Sequence, residues 1–167
     1  MGNQQERLSN FEVGWLAGVL DGEGYLSLGV NSTKRTIYPS IKVASIDRKL
    51  IDKYIFLLKK LKIPFSTYER NPKNKNWSRN WSIDIRTAER CKRFIEVILP
   101  YLTTKKYNGE IVLKFCKSRL SLPYGSSYTK EEMECLREVR KMNFNKGAER
   151  ILNDYTPSKR PRYRLKI

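Results

Sequence analysis

The sequence predicts an α+β fold, and three observations support this prediction. Hydrophobic residues recur with helical or strand periodicity in the order helix, two strands, helix, two strands, helix, followed by further helices. The turns between paired strands are too short for the crossover that parallel strands require. The 167 residues, 40% of them hydrophobic, suffice for one domain. We expect a core over residues 1–125 and, in the same domain, a helical extension with a basic tail over residues 126–167.

The first half of the core is predicted to contain two helices separated by two strands. Its segments are a helix over residues 10–20, strands over residues 25–30 and 36–44, and a helix over residues 47–62. Phe11, Trp15 and Val19 give the first helix its spacing, and either Ser9 or Asn10 can cap it. Glycines at positions 22 and 24 are expected to end that helix.

The second half repeats this pattern and then becomes helical. Its segments are strands over residues 65–69 and 80–86 and helices over residues 87–99, 105–120 and 129–142. Thr129 and Glu132 have the spacing of a capping box, which predicts the start of the last helix. Five helices and two strand pairs make up the expected α+β plan.

Charge and composition exclude many functions. The 34 lysines and arginines against 17 acidic residues give a net charge of +17, which favours nucleic acid as the partner. The chain contains no histidine, so histidine-based triads and Cys/His zinc sites are excluded. The spacing of Cys91, Cys116 and Cys135 fits neither a disulfide framework nor a metal knuckle. No signal-peptide core or membrane span is evident, so an intracellular location, in the cytoplasm or an organelle, is expected.

The segment LAGVLDGEG at the end of the first helix combines features that an ordinary helix avoids. Gly14 and Gly18 are four residues apart with Ala17 beside them, and a glycine inside a helix costs about 1 kcal/mol relative to alanine. Close approach of a second helix would compensate for that cost. Asp21 and Glu23 follow at the helix C-terminus, where partial negative charge disfavours carboxylates unless a cation such as Mg²⁺ is bound.

The same segment resembles the LAGLIDADG signature of homing endonucleases. It is identical to the signature at Leu16, Ala17, Gly18, Asp21 and Gly24. Gly22 replaces an alanine, and Glu23 replaces the second aspartate, which retains the charge on a longer side chain. The order of predicted elements over residues 10–120 is also similar to the αββαββα core of that family. The resemblance implies a four-stranded antiparallel DNA-binding sheet backed by helices.

The resemblance implies a metal-dependent nuclease site at the end of the first helix. Glu23 is the implied catalytic metal ligand, the Gly22 carbonyl a second ligand, and Asp21 either a ligand or a brace of the helix end. Mg²⁺ is the implied cofactor, Mn²⁺ is expected to substitute for it, and Ca²⁺ is expected to bind without supporting cleavage. Metal ions can share the activation of water and the stabilisation of the leaving oxygen, so no histidine is needed.

Three further residues are implied to support catalysis. Lys105 corresponds to a lysine that stabilises charge or positions water, and Lys106 is its competitor. Ser45 and Lys49 correspond to a polar pair that completes a solvent pocket near the end of the second strand.

A single copy of the motif implies a homodimer in which two motif helices pack around a symmetry axis. The expected interface residues are Gly14, Ala17, Gly18 and Asp21. The implied partner is a long, roughly palindromic DNA duplex, read in the major groove by outward residues of the sheet. These are Ser27, Asn31, Lys34, Arg35, Thr36, Tyr38, Ser40 and Lys42 on the first strand pair, and Ser66, Tyr68, Arg70, Ser78, Asn80, Ser82 and Arg86 on the second.

Three alternatives to a site-specific homing endonuclease remain open at this stage. The same fold supports RNA maturases that assist intron splicing, although acid retained at Glu23 favours the nuclease. A non-enzymatic basic ribonucleoprotein component would explain the charge but not the motif. A PD-(D/E)xK nuclease is suggested by the spacing of Asp47 and Lys49, but no Pro-Asp dipeptide precedes them.

Overall fold

The structure, a computed structural model, describes residues 8–31, 36–71 and 78–142. It confirms the α+β class and the predicted order of elements. These are α1 (Asn10–Glu23), β1 (Gly24–Asn31), β2 (Thr36–Ser45), α2 (Arg48–Lys60), β3 (Ser66–Arg70), β4 (Asn80–Arg86), α3 (Ala88–Ile98), a 3₁₀ turn (Leu99–Tyr101), α4 (Lys106–Ser121) and α5 (Lys130–Met142). The predicted basic tail lies outside the described residues.

The four strands form one antiparallel sheet in the order β1-β2-β4-β3. Strands β2 and β4, which are distant in sequence, are therefore neighbours at the centre. Alternation along the strands separates two faces. The core face carries the apolar residues Leu26, Leu28, Ile37, Ile41, Val43, Ile83 and Ile85, which are all buried. The opposite face, here called the polar face, carries the alternate positions of every strand.

Helix α1 is longer than the glycines led us to expect. Ser9 is its N-cap and forms a capping box with Glu12, whose carboxylate also binds Lys60 of α2 at 3.0 Å. The helix continues through Gly22 and ends only at Gly24, which is extended. The side chain of Phe11, which contributed to the predicted spacing, is 75% exposed. The spacing therefore indicated a helix correctly, but of its three residues Phe11 lies outside the core, and Trp15 and Val19 are only partly buried against it.

The C-terminal extension braces the sheet. Helix α5 packs against α4 and β1, and the predicted capping box between Thr129 and Glu132 is present. The buried Glu132 forms an ion pair with Arg119 at 3.1 Å. Just before α5, the Tyr128 hydroxyl accepts a hydrogen bond from the Ile37 N–H and donates one to the Ile37 carbonyl. These contacts fix the extension to strand β2.

The three cysteines are free and buried, in agreement with the interpretation of them as packed thiols. Among the described residues, no helix is both long enough and apolar enough to cross a membrane.

Candidate active site and nucleic-acid interface

Helix α1 turns its small residues in two different directions. Leu16, Ala17 and Leu20 have no exposed surface, because they face the sheet and the other helices. Gly18 and Gly22 are exposed, and a Cβ built at either would have no atom within 4 Å. Ala17 therefore belongs to the core of the chain and does not present its side chain to a second copy, which corrects the sequence prediction.

Asp21 binds the turn that precedes α4, residues 103–105. One carboxylate oxygen accepts the Thr103 N–H at 2.7 Å, and the other accepts the Thr104 hydroxyl at 3.0 Å and the Lys105 N–H at 2.9 Å. The Asp21 carbonyl also accepts a hydrogen bond from the Lys105 ammonium. The acidic residue and the lysine of the predicted site are thus joined by both backbone and side-chain contacts.

These contacts explain the ionisation of Asp21. Burial alone would raise the pKa of its carboxyl, but hydrogen bonds from Thr103, Lys105 and Thr104 outweigh that effect and lower the pKa below its ordinary value. Both oxygens are committed to the turn. Asp21 therefore braces the helix end, which was one of the two roles expected for it, and both of its carboxylate oxygens accept hydrogen bonds from the turn.

Glu23 differs from Asp21 in that its side chain is exposed, at the last residue of α1. Lys105 is half-buried and held against the same helix end, whereas Lys106 is exposed. The neighbouring Leu20 carbonyl is bound by the Gly24 N–H. Within the described residues, no group of three acidic, cysteine or histidine side chains could hold a metal ion. At this helix end Glu23 carries the exposed carboxylate, whereas Asp21 is half-buried.

Ser45, the last residue of β2, and Lys49, in the first turn of α2, lie near the end of the sheet at which α1 joins β1, because Gly24 pairs with Val43 two residues before Ser45. The Ser45 hydroxyl accepts the Asp47 N–H at 3.1 Å, and Asp47 in turn caps the N–H of Lys49 at 2.8 Å. Ser45 is buried, which corrects the expectation that it borders a solvent pocket, since its hydroxyl stabilises the turn into α2. The Lys49 side chain is exposed.

Strand register assembles most of the predicted DNA-contacting residues on the polar face. Twelve of the fifteen occupy this face, namely Ser27, Asn31, Thr36, Tyr38, Ser40, Lys42, Ser66, Tyr68, Arg70, Asn80, Ser82 and Arg86. Ser78 precedes β4, and Lys34 and Arg35 lie outside the described residues. Positive charge on this face comes from Lys42, Arg70 and Arg86.

The middle of the polar face is less open than its sequence suggested. Ser27, Ser40 and Ser82 are all buried, and Ser27 has only 1% of its surface exposed. Ser27 and Ser40 are cross-strand partners, and their short side chains lie among longer ones such as Tyr38 and Lys42. These three serines lie on the face that the sequence predicted, but in the chain alone their side chains are covered by longer neighbours.

Sequence reasoning also passed over one residue of this face. Asp84 alternates with Ile83 and Ile85, which placed it on the polar side, but an acid was not selected as a nucleic-acid contact. In the structure its buried carboxylate binds Arg86 and Ser40. The signal available in the sequence was an acid two residues from an arginine on the same face of a strand.

Comparison with known proteins gives a consistent result. The LAGLIDADG-like domain profile matches residues 10–99. The homing endonuclease I-CvuI, solved with its target in the presence of calcium, has a TM-score of 0.62 at 18% identity, covering 86% of this chain and 91% of that chain. The archaeal intron-encoded homing endonuclease I-Vdi141I, complexed with DNA, gives 0.64 at 12% identity, covering 86% and 94%.

The homing endonuclease I-TnaI gives a TM-score of 0.60 at 21% identity, covering 89% of this chain and 98% of that chain. At these identities the likeness shows a shared fold. Among curated protein sequences, none matches this chain.

Proposed function

The chain belongs to the LAGLIDADG-like domain family, and from that premise we propose that it is a site-specific homing endonuclease. As a homodimer it would make double-strand breaks in a long, pseudo-palindromic DNA target by divalent-metal-dependent hydrolysis. The observation that carries this proposal is an exposed Glu23 at the end of the motif helix, two residues from the Asp21 carbonyl that binds the Lys105 ammonium. The DNA complexes of the structurally similar I-CvuI and I-Vdi141I support the choice of partner.

The exposed side of α1 supports a homodimer. Gly18 and Gly22 leave open space there, and Phe11 presents a large apolar surface at the beginning of the same side. These three residues form an exposed stripe along α1. Gly14 borders this stripe, and a Cβ built at Gly14 would lie 3.8 Å from the Tyr101 ring. A second copy packed on the stripe would bury it and bring two Glu23 residues near one axis. The second carboxylate that the site lacks within one chain would then come from the partner.

The residues of this chain would divide the chemistry between them. Mg²⁺, when bound, supplies activation of water and stabilisation of charge at the scissile phosphate. Glu23 and the Gly22 carbonyl would hold that cation through oxygen ligands of the kind Mg²⁺ prefers. Lys105 would stabilise negative charge on the phosphate, since Asp21 fixes its backbone and its ammonium at the helix end. Lys49 is exposed near the end of the sheet at which α1 joins β1, and it would contact the DNA or the surrounding water.

The polar face would lie along the major groove. A net charge of +17 per chain, doubled in the dimer, would provide much of the affinity through contacts with phosphates. Exposed side chains such as Lys42, Tyr68 and Arg70 would then read base edges or contact the backbone.

The test is incubation of the protein with a randomised duplex library and Mg²⁺, followed by sequencing of the cut ends. Wild-type protein should yield a symmetric cut motif. Glu23→Gln should bind DNA with nearly unchanged affinity and abolish cleavage, because it removes the metal-binding charge at constant size. Glu89→Gln, a change at an exposed glutamate in the first turn of α3, should still cut. Cleavage by Glu23→Gln would refute the assignment, and RNA binding without any DNA cleavage would favour the maturase.

Lys105 and Lys106 form a second matched pair. Lys105→Met should lower the cleavage rate severely, because the ammonium at the helix end is lost. Lys106→Met should have a small effect, because that exposed side chain has no comparable position at the helix end. Equal effects of the two changes would contradict the proposed role of Lys105.

A further inference from the structure

Asp84 is unusual for its position. Of the described strand residues on the polar face, it is the only acidic one, and its side chain is only 4% exposed. A buried carboxylate is costly unless it is paired, and a negative charge on this face opposes the approach of phosphates. Asp84 therefore needs a role that compensates for the DNA affinity lost through its negative charge.

The contacts of Asp84 show what it holds. Its Oδ2 atom accepts a hydrogen bond from Arg86 Nε at 2.7 Å and forms an ion pair with the terminal nitrogen Nη2 of Arg86 at 2.6 Å. Its Oδ1 atom lies 3.4 Å from the Ser40 hydroxyl, which donates a longer hydrogen bond. The guanidinium of Arg86 is thus fixed by its inner edge, from the centre of the sheet.

The aromatic ring of Tyr38 contacts the same guanidinium. The Arg86 guanidinium carbon lies 5.4 Å from the centroid of the Tyr38 ring, within the range of a cation–π contact. The ring itself lies across Gly29, its cross-strand partner, where a Cβ would come within 2.5 Å of the ring. Gly29 therefore provides the space in which Tyr38 can lie against Arg86.

The guanidinium of Arg86 is held in place and still has N–H donors with which it can bind a base. Arginine has five N–H donors, and the contacts with Asp84 use two of them, so three remain on a side chain that is 55% exposed. Guanine presents two acceptors, O6 and N7, at its major-groove edge, and arginine binds them as a fork. Fixing the guanidinium beforehand reduces the entropy lost on binding.

We propose that Arg86 reads a guanine in the major groove of the duplex target and that Asp84, with Tyr38, is the residue that positions it. This inference rests on the proposed function, since it requires the polar face to lie on DNA. It assigns base specificity to a residue whose charge opposes DNA binding in general. Affinity and specificity should therefore move in opposite directions when Asp84 is neutralised.

The test is selection of bound duplexes from a randomised library by the full-length protein, with Ca²⁺ in place of Mg²⁺. Wild-type protein should select guanine at one position of each half-site. Asp84→Asn and Arg86→Lys should each lower that preference about tenfold and leave the other positions unchanged. Asp84→Asn should also bind an unrelated duplex more tightly, because one negative charge is removed from the face. A merely structural role for Asp84 would instead change binding at all positions of the duplex alike, without a selective loss of the guanine preference at one of them.

The matched control is Glu69→Gln. Glu69 forms an ion pair with Arg79 at 3.2 Å, but it occupies the opposite side of strand β3 from the polar face. This change should leave the selected motif intact. If wild-type protein selects a motif and either Asp84→Asn or Arg86→Lys retains it fully, the inference is overturned while the proposed function stands. If wild-type protein selects no motif, both are overturned. Should Asp84→Asn fail to fold, the exposed Arg86→Lys decides the question alone.

Discussion

Replacing Asp21 by asparagine tests how the motif helix is fixed to the rest of the chain. The carboxylate accepts three hydrogen bonds from residues 103–105, two at one oxygen and one at the other. An amide keeps a single acceptor oxygen. If that oxygen retains the Thr104 and Lys105 bonds, the amide NH₂ must face the Thr103 N–H, so one donor loses its partner. We therefore expect Asp21→Asn to destabilise the fold while leaving its shape unchanged.

The size of the effect follows from the number of bonds lost. A hydrogen bond to a charged group contributes about 1.5 to 3 kcal/mol, and the turn is partly open to water, so the lower part of that range applies. The expected decrease in the free energy of unfolding is about 2 kcal/mol. It would be measured by urea denaturation near neutral pH, with the midpoint and slope both recorded.

The effect should also depend on pH in a defined direction. The folded-state pKa of Asp21 lies below its ordinary value of 3.8, so the ionised carboxylate stabilises the folded state. That contribution is complete above the unfolded-state pKa and is lost as the pH falls through the folded-state pKa. The difference in unfolding free energy between wild type and Asp21→Asn should therefore be constant near neutral pH and narrow below 3.8.

Asp52→Asn is the control for this prediction. Asp52 is an exposed carboxylate whose ion pair with Arg48, at 2.9 Å, lies on the surface of α2. Removing such a pair costs about 0.5 kcal/mol or less. If Asp21→Asn proves no more destabilising than Asp52→Asn, the turn is not fixed by the carboxylate and the reasoning is refuted.

Three further changes test other parts of the structure. The buried Tyr54 hydroxyl has no hydrogen-bond partner among the described atoms, so Tyr54→Phe should leave the unfolding free energy unchanged or raise it by up to about 1 kcal/mol, and a clear loss would contradict this. Lys62 follows α2 with a left-handed φ of 53°, a conformation that glycine adopts without strain. Lys62→Gly should therefore stabilise the fold by about 1 kcal/mol in the same urea assay. Lys59→Gly, within the helix, is the control and should destabilise the fold by about the same amount. Gly18→Leu should abolish the dimer in sedimentation without disrupting the folded chain, and a variant as large as wild type would refute the proposed interface.

Local sequence patterns predicted much of the fold. The capping residues and the periodicities of 3.6 and 2 residues indicated each helix and strand within a few positions. Alternation also separated the two faces of the sheet, because neighbouring side chains on a strand point to opposite sides. The motif identified the end of α1 as the candidate site, and the exposure of Glu23 is compatible with the role implied for it.

Only the tertiary structure decided how these parts meet. The neighbouring positions of β2 and β4, the burial of Ala17 and the enclosure of Ser27 depend on packing between distant segments. Asp21 binds partners 82 to 84 residues further along the chain, so no local pattern could distinguish a brace from a metal ligand. The sequence by itself determined which elements form and where the acidic helix end lies, because those features arise from interactions within a few residues. The assignment of each polar side chain to a core, a turn or a free surface required the folded chain, because burial and hydrogen bonding are set by neighbours in space.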